Sequence, residues 1–220
     1  MIAWARVGRL ITIEGVEGAG KSTQVARLGA WLTELGLGLS TTAEPDGTPV
    51  GLRVRRLLGE LPDLDPLTEC LLFVSARAEH TRRVIRPALE RGLTVISDRY
   101  ADSTVAYQGY GRGVDVEVIA NLNRLATDGL TPDLTIVLDL DVAEGLRRIR
   151  RRGGPPGVER DPFECLGAAF HERVRKGYRA IQEREPARVV LVDAAAPEER
   201  VAGAVRAVVA ERLGLGGPRP

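Results

Sequence analysis

Residues 14–23 read "EGVEGAGKST", directly after the apolar run "LITI" and directly before an amphipathic stretch. The segment matches the pattern G-x-x-x-x-G-K-[ST] where that pattern must lie, between a strand and a helix. Glycines let successive backbone N–H groups turn inward, and the helix N-terminus adds partial positive charge. The segment predicts a loop that holds the phosphates of a nucleoside triphosphate, formed by Gly15, Val16, Glu17, Gly18, Ala19, Gly20, Lys21, Ser22 and Thr23.

Side chains in and near this loop have predicted chemical roles. Lys21 would reach the outer phosphates, and the Ser22 hydroxyl is a candidate ligand for Mg²⁺. Asp98 ends the run "LTVISD", where it could orient Mg²⁺ or its water, and Arg99 could pair with a phosphate. A plain Gly-rich turn and a surface Asp98–Arg99 ion pair remain the alternatives. The sequence contains no guanine-reading N-K-x-D motif, which disfavours a GTPase-type switch.

Outside the loop, short β-rich runs alternate with longer amphipathic stretches, which predicts an α/β fold with a parallel sheet and crossover helices. Ligands of such sheets bind beyond the carboxyl ends of the strands, where several acidic residues collect here. We expect one domain over 1–213 and a disordered tail over 214–220. The strands are predicted at 10–14, 39–44, 93–98, 134–140 and 188–193, and the helices near 21–35, 50–59, 66–91, 115–127, 142–152, 163–185 and 197–212.

Composition bounds the possible partners and the compartment. Lys and Arg total 31 against 30 Asp and Glu, so no global field attracts nucleic acid or an anionic membrane. Cys70 and Cys165 are isolated within helical patterns, which suggests neither a metal site nor a disulfide framework. No apolar run suits a membrane span, and the N-terminus leads into a strand and not into a cleavage site. These features predict a cytoplasmic protein without nucleic-acid or membrane partners.

Four further motifs carry a family resemblance. The chain has "AEPDGTPVG" (43–51), "LLFVSARAEH" (71–80), "DRYADSTVAYQ" (98–108) and "LTPDLTIVLDL" (130–140), and with the loop it resembles a bacterial thymidylate kinase from about 10 to 213. The resemblance implies a three-layer P-loop kinase fold with five parallel strands, a short lid and usually a homodimer. It also implies transfer of the γ-phosphoryl group from ATP to dTMP, with Mg²⁺ present.

The resemblance also implies an acceptor site. Glu17 would approach the sugar 3′-hydroxyl, and Arg99 would hold the dTMP phosphate. Phe73 would stack on the thymine ring, while Arg77, four residues later on the same helical face, would reach a thymine carbonyl. Tyr107 would crowd a ribose 2′-hydroxyl, although ordinary core packing is the alternative for both aromatic residues. The other side chains implied to face base or sugar are Ser103, Thr104 and Gln108.

The basic stretch "RRIRRRGGPPGVERDP" (147–162) matches the family's lid, placed here at about 148–162. In some relatives an Arg of the P-loop neutralises transition-state charge, but that position is Gly18 here, so the lid must supply the charge. Arg152 or Arg160 is therefore the expected catalytic arginine, with Arg148 nearer the adenine. A solvated run of charge remains the alternative for each of these side chains.

The chain departs from the family pattern beside the acceptor site. Where the family commonly reads T-R-E-P-G-G-T, this chain reads "TAEPDGT", so Ala43 replaces an Arg and Asp46 replaces a Gly. Leu52 stands where a Glu is common. Such changes would weaken binding of a monophosphate unless Arg55, Arg99 or another arginine compensates. Two alternatives therefore stay open: a kinase with another nucleoside monophosphate acceptor, and a P-loop protein that binds nucleotide without phosphorylating an acceptor.

Overall fold

The computed structural model describes residues 8–61, 63–153 and 162–215. Its centre is a five-stranded sheet in which every pair of neighbouring strands is parallel. The predicted α/β fold is confirmed, and each strand end lies within one residue of its predicted position. The strands are β1 (Leu10–Gly15), β2 (Leu39–Ala43), β3 (Thr94–Asp98), β4 (Leu134–Asp139) and β5 (Val189–Asp193).

The strand order β2-β3-β1-β4-β5 places β1 at the centre, where every residue of the strand is buried. A parallel sheet covered on both faces favours apolar, β-branched residues, which explains Ile11 and Ile13 in β1. The one polar side chain between them, Thr12, forms a 2.7 Å hydrogen bond with Thr135 of β4. The order reverses on either side of β1, so the loop that follows Gly15 opens at the switch point of the sheet.

Helices flank this sheet. Helix α1 contacts β1, β2 and β3 and packs against the C-terminal helix, while other helices contact β1, β3 and β5. No helix in the described part of the chain has the length and apolar composition needed to cross a membrane. The α-helices are α1 (Lys21–Glu34), α2 (Pro49–Glu60), α3 (Pro66–His80), α4 (Arg86–Glu90), α5 (Ala101–Thr104), α6 (Val116–Thr127), α7 (Val142–Arg152), α8 (Ala168–Arg184) and α9 (Glu198–Leu213).

The helix predicted over 66–91 is interrupted by a π-helical turn, Thr81–Ile85, between α3 and α4. Pro87 has no backbone N–H for the regular hydrogen bond one turn back, and a widened turn before it accommodates that loss. The helix predicted over 163–185 also differs, since a 3₁₀ turn, Pro162–Cys165, precedes α8. Gly167 has an extended backbone and separates the turn from the helix.

Residues 101–111 form α5 and a π-helical segment, Val105–Gly111, that the sequence did not predict. At the C-terminus, Gly214 adopts the left-handed conformation and Leu215 donates its N–H to the Ala210 carbonyl. The last five residues of the predicted tail, 216–220, lie outside the described residues. Most of the predicted lid, 154–161, lies outside them as well.

Candidate active site

The phosphate loop lies between β1 and α1. Gly18 and Gly20 have φ values of 75° and 90°, in the left-handed region that favours glycine. A Cβ on Gly18 would also overlap the backbone of Gly145 at the start of α7. Lys21 Nζ donates to the carbonyl oxygens of Gly15 at 3.1 Å and Val16 at 3.0 Å, and burial lowers the pKa of Lys21. The loop is therefore curled around its own lysine.

Ser22 and Asp98 meet at the carboxyl ends of β1 and β3. The Ser22 hydroxyl donates to Asp98 Oδ2 at 2.7 Å, and both side chains line one cavity with Lys21 and Thr23. One carboxylate and one hydroxyl beside a phosphate site match the ligands that Mg²⁺ accepts, since Mg²⁺ commonly keeps waters and binds substrate phosphates. The residues present therefore fit this metal ion.

Arg99 has an unusual backbone conformation for a residue with a side chain, with φ at 69°. Such conformations cost on the order of 1–3 kcal/mol and persist where neighbours hold them. The Arg99 N–H donates to the Ile13 carbonyl at 3.0 Å, and the Ser97 hydroxyl donates to the Arg99 carbonyl at 2.7 Å. The guanidinium then reaches Ser103 Oγ at 3.2 Å and the Tyr107 hydroxyl at 3.1 Å. This conformation thus directs Arg99 into the site.

Glu17 connects the phosphate loop to Arg99. Its carboxylate forms an ion pair with Arg99, lies 3.8 Å from Lys21 Nζ and accepts a 2.8 Å hydrogen bond from Tyr107. Burial alone would raise the pKa of Glu17, but the charges of Arg99 and Lys21 outweigh it and hold that pKa at about 2. Glu17 is therefore an anion that faces two cations across the junction of the site.

Glu14, three residues earlier, has the opposite environment and was not predicted as a site residue. It is completely buried, and burial together with the charge of Asp102 raises its pKa to about 7. Its carboxyl group accepts hydrogen bonds from Ser103 Oγ at 2.5 Å, the Tyr178 hydroxyl at 2.9 Å and the Tyr100 N–H at 2.8 Å. Glu14 thus anchors the segment that follows Arg99 to β1, through its hydrogen bonds with Tyr100 and Ser103.

A second cavity begins at Glu17 and Arg99 and extends between α3, α5 and the π-helical segment Val105–Gly111. The structure brings every sequence-predicted acceptor residue to its lining: Glu17, Phe73, Arg77, Arg99, Ser103, Thr104, Tyr107 and Gln108. Glu44, Pro45, Arg55, Leu58 and Phe163 also line it, although the sequence predicted no base or sugar contact for any of them.

Arg77 is held by several partners inside this cavity wall, with only 2% of it exposed. Its Nε donates to Glu44 at 2.9 Å, Nη1 donates to Asn123 Oδ1 at 2.7 Å, and Nη2 donates to the Tyr100 carbonyl at 3.0 Å. Glu44 also lies 3.1 Å from the His80 ring. The family resemblance implied a role for Arg77, but the sequence gave no sign of these partners, which come from distant elements.

Aromatic side chains form another part of the cavity lining. The Phe73 and Phe163 rings are 5.9 Å apart and tilted by 48°. The Tyr107 ring is perpendicular to Phe163, with 5.5 Å between centroids, and Arg99 lies over the Tyr107 ring at 4.7 Å. Phe73 and Tyr107 pack against the hydrophobic core and also line the cavity. Core packing and a place in the acceptor cavity are therefore compatible for both residues.

Two of the three residues that depart from the family pattern lie beside the phosphate loop. Ala43 and Asp46 line the same cavity as Ser22, together with Arg55. Arg55 Nε donates to Asp46 Oδ1 at 2.6 Å, so the added anion has a cationic partner. Leu52 is 47% exposed on α2.

Of the predicted lid arginines, Arg148 lines the phosphate cavity and donates to Glu144 at 2.8 Å. It also borders a third cavity, next to Thr23 and the backbone that follows β5 at 194–197. Arg152 is the last residue of α7, and Arg160 lies outside the described residues.

Comparisons with known proteins point to a single family. A sequence profile described as "Thymidylate kinase" matches residues 13–205. The thymidylate kinase of Thermomicrobium roseum is 51% identical over 210 residues, 96% of this chain and 98% of that protein. The thymidylate kinase of Deinococcus radiodurans is 48% identical over 206 residues, 93% of this chain and 98% of that protein.

A solved structure extends the likeness to the fold. The crystal structure of thymidylate kinase from Ehrlichia chaffeensis superimposes with a TM-score of 0.75 at 33% sequence identity, covering 92% of this chain and 98% of the other. Profile, sequence identity and fold agree across nearly the whole chain, and the chain therefore belongs to the thymidylate kinase family.

Proposed function

We propose that this chain transfers the γ-phosphoryl group of ATP to dTMP, which yields dTDP and ADP. The observation that carries the proposal is the junction at Glu17 and Arg99, where a phosphate loop meets a cavity lined by aromatic and arginine side chains. Membership of the thymidylate kinase family supports the identities of both nucleotides.

The donor half binds ATP through the phosphate loop. Backbone N–H groups from Gly15 to Thr23 surround the phosphates, and Lys21 turns from its own loop carbonyls to the outer phosphates. Ser22 and Asp98 would hold Mg²⁺, which supplies positive charge to the transferring phosphates when it is bound. The adenine would lie near Arg148 and the backbone after β5.

The acceptor half positions dTMP. Arg99 exchanges Glu17 for the dTMP phosphate, and the released Glu17 carboxylate accepts a hydrogen bond from the sugar 3′-hydroxyl. Phe73 stacks on the thymine, and Arg77 donates to a thymine carbonyl. Around the base and sugar, the remaining lining is supplied by Ser103, Thr104, Tyr107 and Gln108, with Tyr107 placed to exclude a 2′-hydroxyl.

Catalysis then follows from positioning and charge neutralisation, with little need for a strong general base. The transition state of phosphoryl transfer spreads negative charge over the equatorial oxygens. Because Gly18 provides no cation, we propose that this negative charge is neutralised by Lys21, Arg99 and a lid arginine, Arg152 or Arg160. An arginine in such a position typically accelerates transfer by roughly 10³–10⁵-fold.

A homodimer is part of the proposal. Large apolar side chains are exposed on α2, α3 and α6, where α3 packs against both of the other helices. Sedimentation should give a dimer mass, and Leu71→Glu should shift the protein to monomer. An unchanged dimer would place the interface on another surface. The exposed side chains on these helices are Val50, Leu52, Leu57, Leu67, Leu71, Val118 and Leu125.

We also propose a cytoplasmic location, where a reducing environment suits the free thiol of Cys70. Burial raises the pKa of this thiol, which keeps it protonated and unreactive. Fractionation of the source cells tests this part of the proposal, and recovery in a membrane or secreted fraction would contradict it.

The activity is tested by ADP production from ATP and Mg²⁺ with dTMP, dUMP, dCMP, dAMP, dGMP and UMP offered separately. We expect strong preference for dTMP. Equal rates with several acceptors would indicate a kinase of broader choice, and ATP binding without acceptor-dependent ADP would indicate a nucleotide-binding protein without this activity.

A further inference from the structure

Glu69 of α3 is a buried carboxylate with no role in the proposed mechanism, and only 5% of the residue is exposed. Gln108 Nε2 donates to its Oε1 at 2.9 Å. Arg112 donates to the same carboxylate, from Nε to Oε1 at 3.3 Å and from Nη2 to Oε2 at 2.9 Å. Glu69 therefore connects a residue of the acceptor cavity to an arginine behind it.

This contact determines which way the Gln108 amide points. An ionised carboxylate can only accept hydrogen bonds, so Glu69 can pair only with the NH₂ end of the amide. The Arg112 guanidinium forms an ion pair with this carboxylate, with 2.9 Å between Nη2 and Oε2. The NH₂ of Gln108 is thus committed to Glu69, and the carbonyl oxygen is the end left for the cavity.

Gln108 lines the acceptor cavity together with Arg77. Among the described residues, none donates a hydrogen bond to Gln108 Oε1. Arg77 is a donor and cannot accept. A base that enters the cavity therefore meets one fixed acceptor from Gln108 and one fixed donor group from Arg77.

This pattern distinguishes two types of pyrimidine. A thymine or uracil ring offers an N3–H donor beside the O4 acceptor, whereas a cytosine ring offers an N3 acceptor beside an exocyclic amino donor. The thymine edge complements Gln108 Oε1 and Arg77, while cytosine would face an acceptor with an acceptor and a donor with a donor. Unmatched polar groups in a buried site are the usual source of strong discrimination.

We propose that Glu69 is a positioning residue that makes the acceptor site select thymine-type over cytosine-type rings, by holding the Gln108 amide in one orientation. The inference rests on the proposed function, because it assumes that this cavity receives the acceptor base. It concerns a residue that need not touch the substrate and acts through Gln108.

Glu69→Gln provides the test, because this isosteric change gives position 69 both a donor and an acceptor and lets the Gln108 amide turn. Dissociation constants for dTMP and dCMP are measured by calorimetry on the full-length wild type and variant. We expect the ratio of the dissociation constant for dCMP to that for dTMP to fall by roughly tenfold or more. One unpaired buried polar group typically has an effect of this size. An unchanged ratio in the folded variant overturns the proposal.

Arg112→Gln is the matched control, since it removes the ion pair and leaves the contact between Glu69 and Gln108. We expect its ratio to stay within about twofold of wild type, whatever its melting temperature, because the introduced amide can still donate to Glu69 and the contact between Glu69 and Gln108 remains. An equal fall in this control would assign the effect to general loosening and overturn the proposal.

Gln108→Met tests the same idea without touching Glu69, and so covers the case in which Glu69→Gln fails to fold. Loss of the carbonyl should lower the ratio to a similar extent, and a wild-type ratio in this variant also overturns the proposal. A wild type that neither binds dTMP nor forms ADP with it would instead refute the proposed function itself.

Discussion

The donor and acceptor halves of the site are assembled in different ways. In the phosphate loop, Lys21 reaches the carbonyls of Gly15 and Val16, its neighbours in sequence. In the acceptor cavity, Arg77 is held by Glu44 and Asn123, which are 33 and 46 residues away. A local motif therefore specifies the first half, whereas only the folded chain specifies the second.

Glu14 and Glu17 show the same contrast within one short segment. Glu17 faces Arg99 and Lys21, and its pKa falls to about 2. Glu14 lies beneath the loop, where burial and the charge of Asp102 raise its pKa to about 7. Proximity in sequence thus gives no guide to charge state, because each carboxyl group responds to its own three-dimensional surroundings.

Loss of the loop lysine should give the largest effect and act on the donor half. Lys21→Met removes the cation that faces the outer phosphates, and we expect kcat to fall by roughly 10²–10³-fold, as for other preorganised charge contacts. The dissociation constant for dTMP should change far less. Single-turnover kinetics and equilibrium titration separate the two quantities, and an equal loss in both would contradict the division into halves.

Arg99→Ala should act mainly on the acceptor half. Its guanidinium pairs with Glu17 in the structure, and we propose that it pairs with the dTMP phosphate during turnover. A charged hydrogen bond of this kind contributes about 1.5–3 kcal/mol, which corresponds to a rise in KM for dTMP of roughly 10–100-fold.

The KM for ATP is the internal comparison for Arg99→Ala, and it should change little. Arg124→Ala, on the exposed side of α6, serves as the control and should leave both constants near wild type. Equal effects of Arg99→Ala on the KM for dTMP and the KM for ATP would contradict the assignment of Arg99 to the dTMP phosphate.

The contrast between the glutamates predicts a pH effect on stability. The folded-state pKa of Glu14 exceeds its usual value, so its contribution to stability is complete below about pH 4.5 and is lost as pH rises through about 7. Relative to Glu14→Gln, the wild-type free energy of unfolding should fall by roughly 3 kcal/mol from pH 4.5 to 8. Denaturant titrations measure this difference. If the free energies of unfolding of the wild type and of Glu14→Gln followed parallel pH profiles, the raised pKa would be contradicted.

Asp46→Gly should give the smallest effect. The change restores the residue that is common in the family and removes the ion pair with Arg55, which lines both cavities. Partly exposed ion pairs contribute about 0–1 kcal/mol, so we expect the KM for dTMP to fall by no more than about fivefold. Steady-state kinetics measure this change. A KM for dTMP above the wild-type value would contradict the expectation and show that Asp46 holds Arg55 in a position that favours dTMP binding.

The sequence predicted those features that local patterns encode. The sheet, the phosphate loop, and the placement of Asp98 and Arg99 at a strand end follow from apolar runs and from one motif. The family resemblance added the residues of the acceptor cavity, which the structure brings together.

The remaining features depend on contacts between distant segments. The helical run over 101–111 contains glycines and polar residues without a helical apolar period, so packing against α8 and β1 stabilises it. Glu69 appeared in the sequence only as an acidic residue near the start of a helix. Its contact with Gln108 spans 39 residues and becomes visible only in the folded chain.

The central claim, that the two halves form one site for phosphoryl transfer to dTMP, is tested most directly by following the phosphorus atom. The protein is incubated with Mg²⁺, dTMP and ATP labelled at the γ-phosphate, and the products are separated. The account predicts that the label appears in dTDP, with ADP formed in equal amount. Label released as inorganic phosphate, or retained in ATP when dTMP is present, would contradict it.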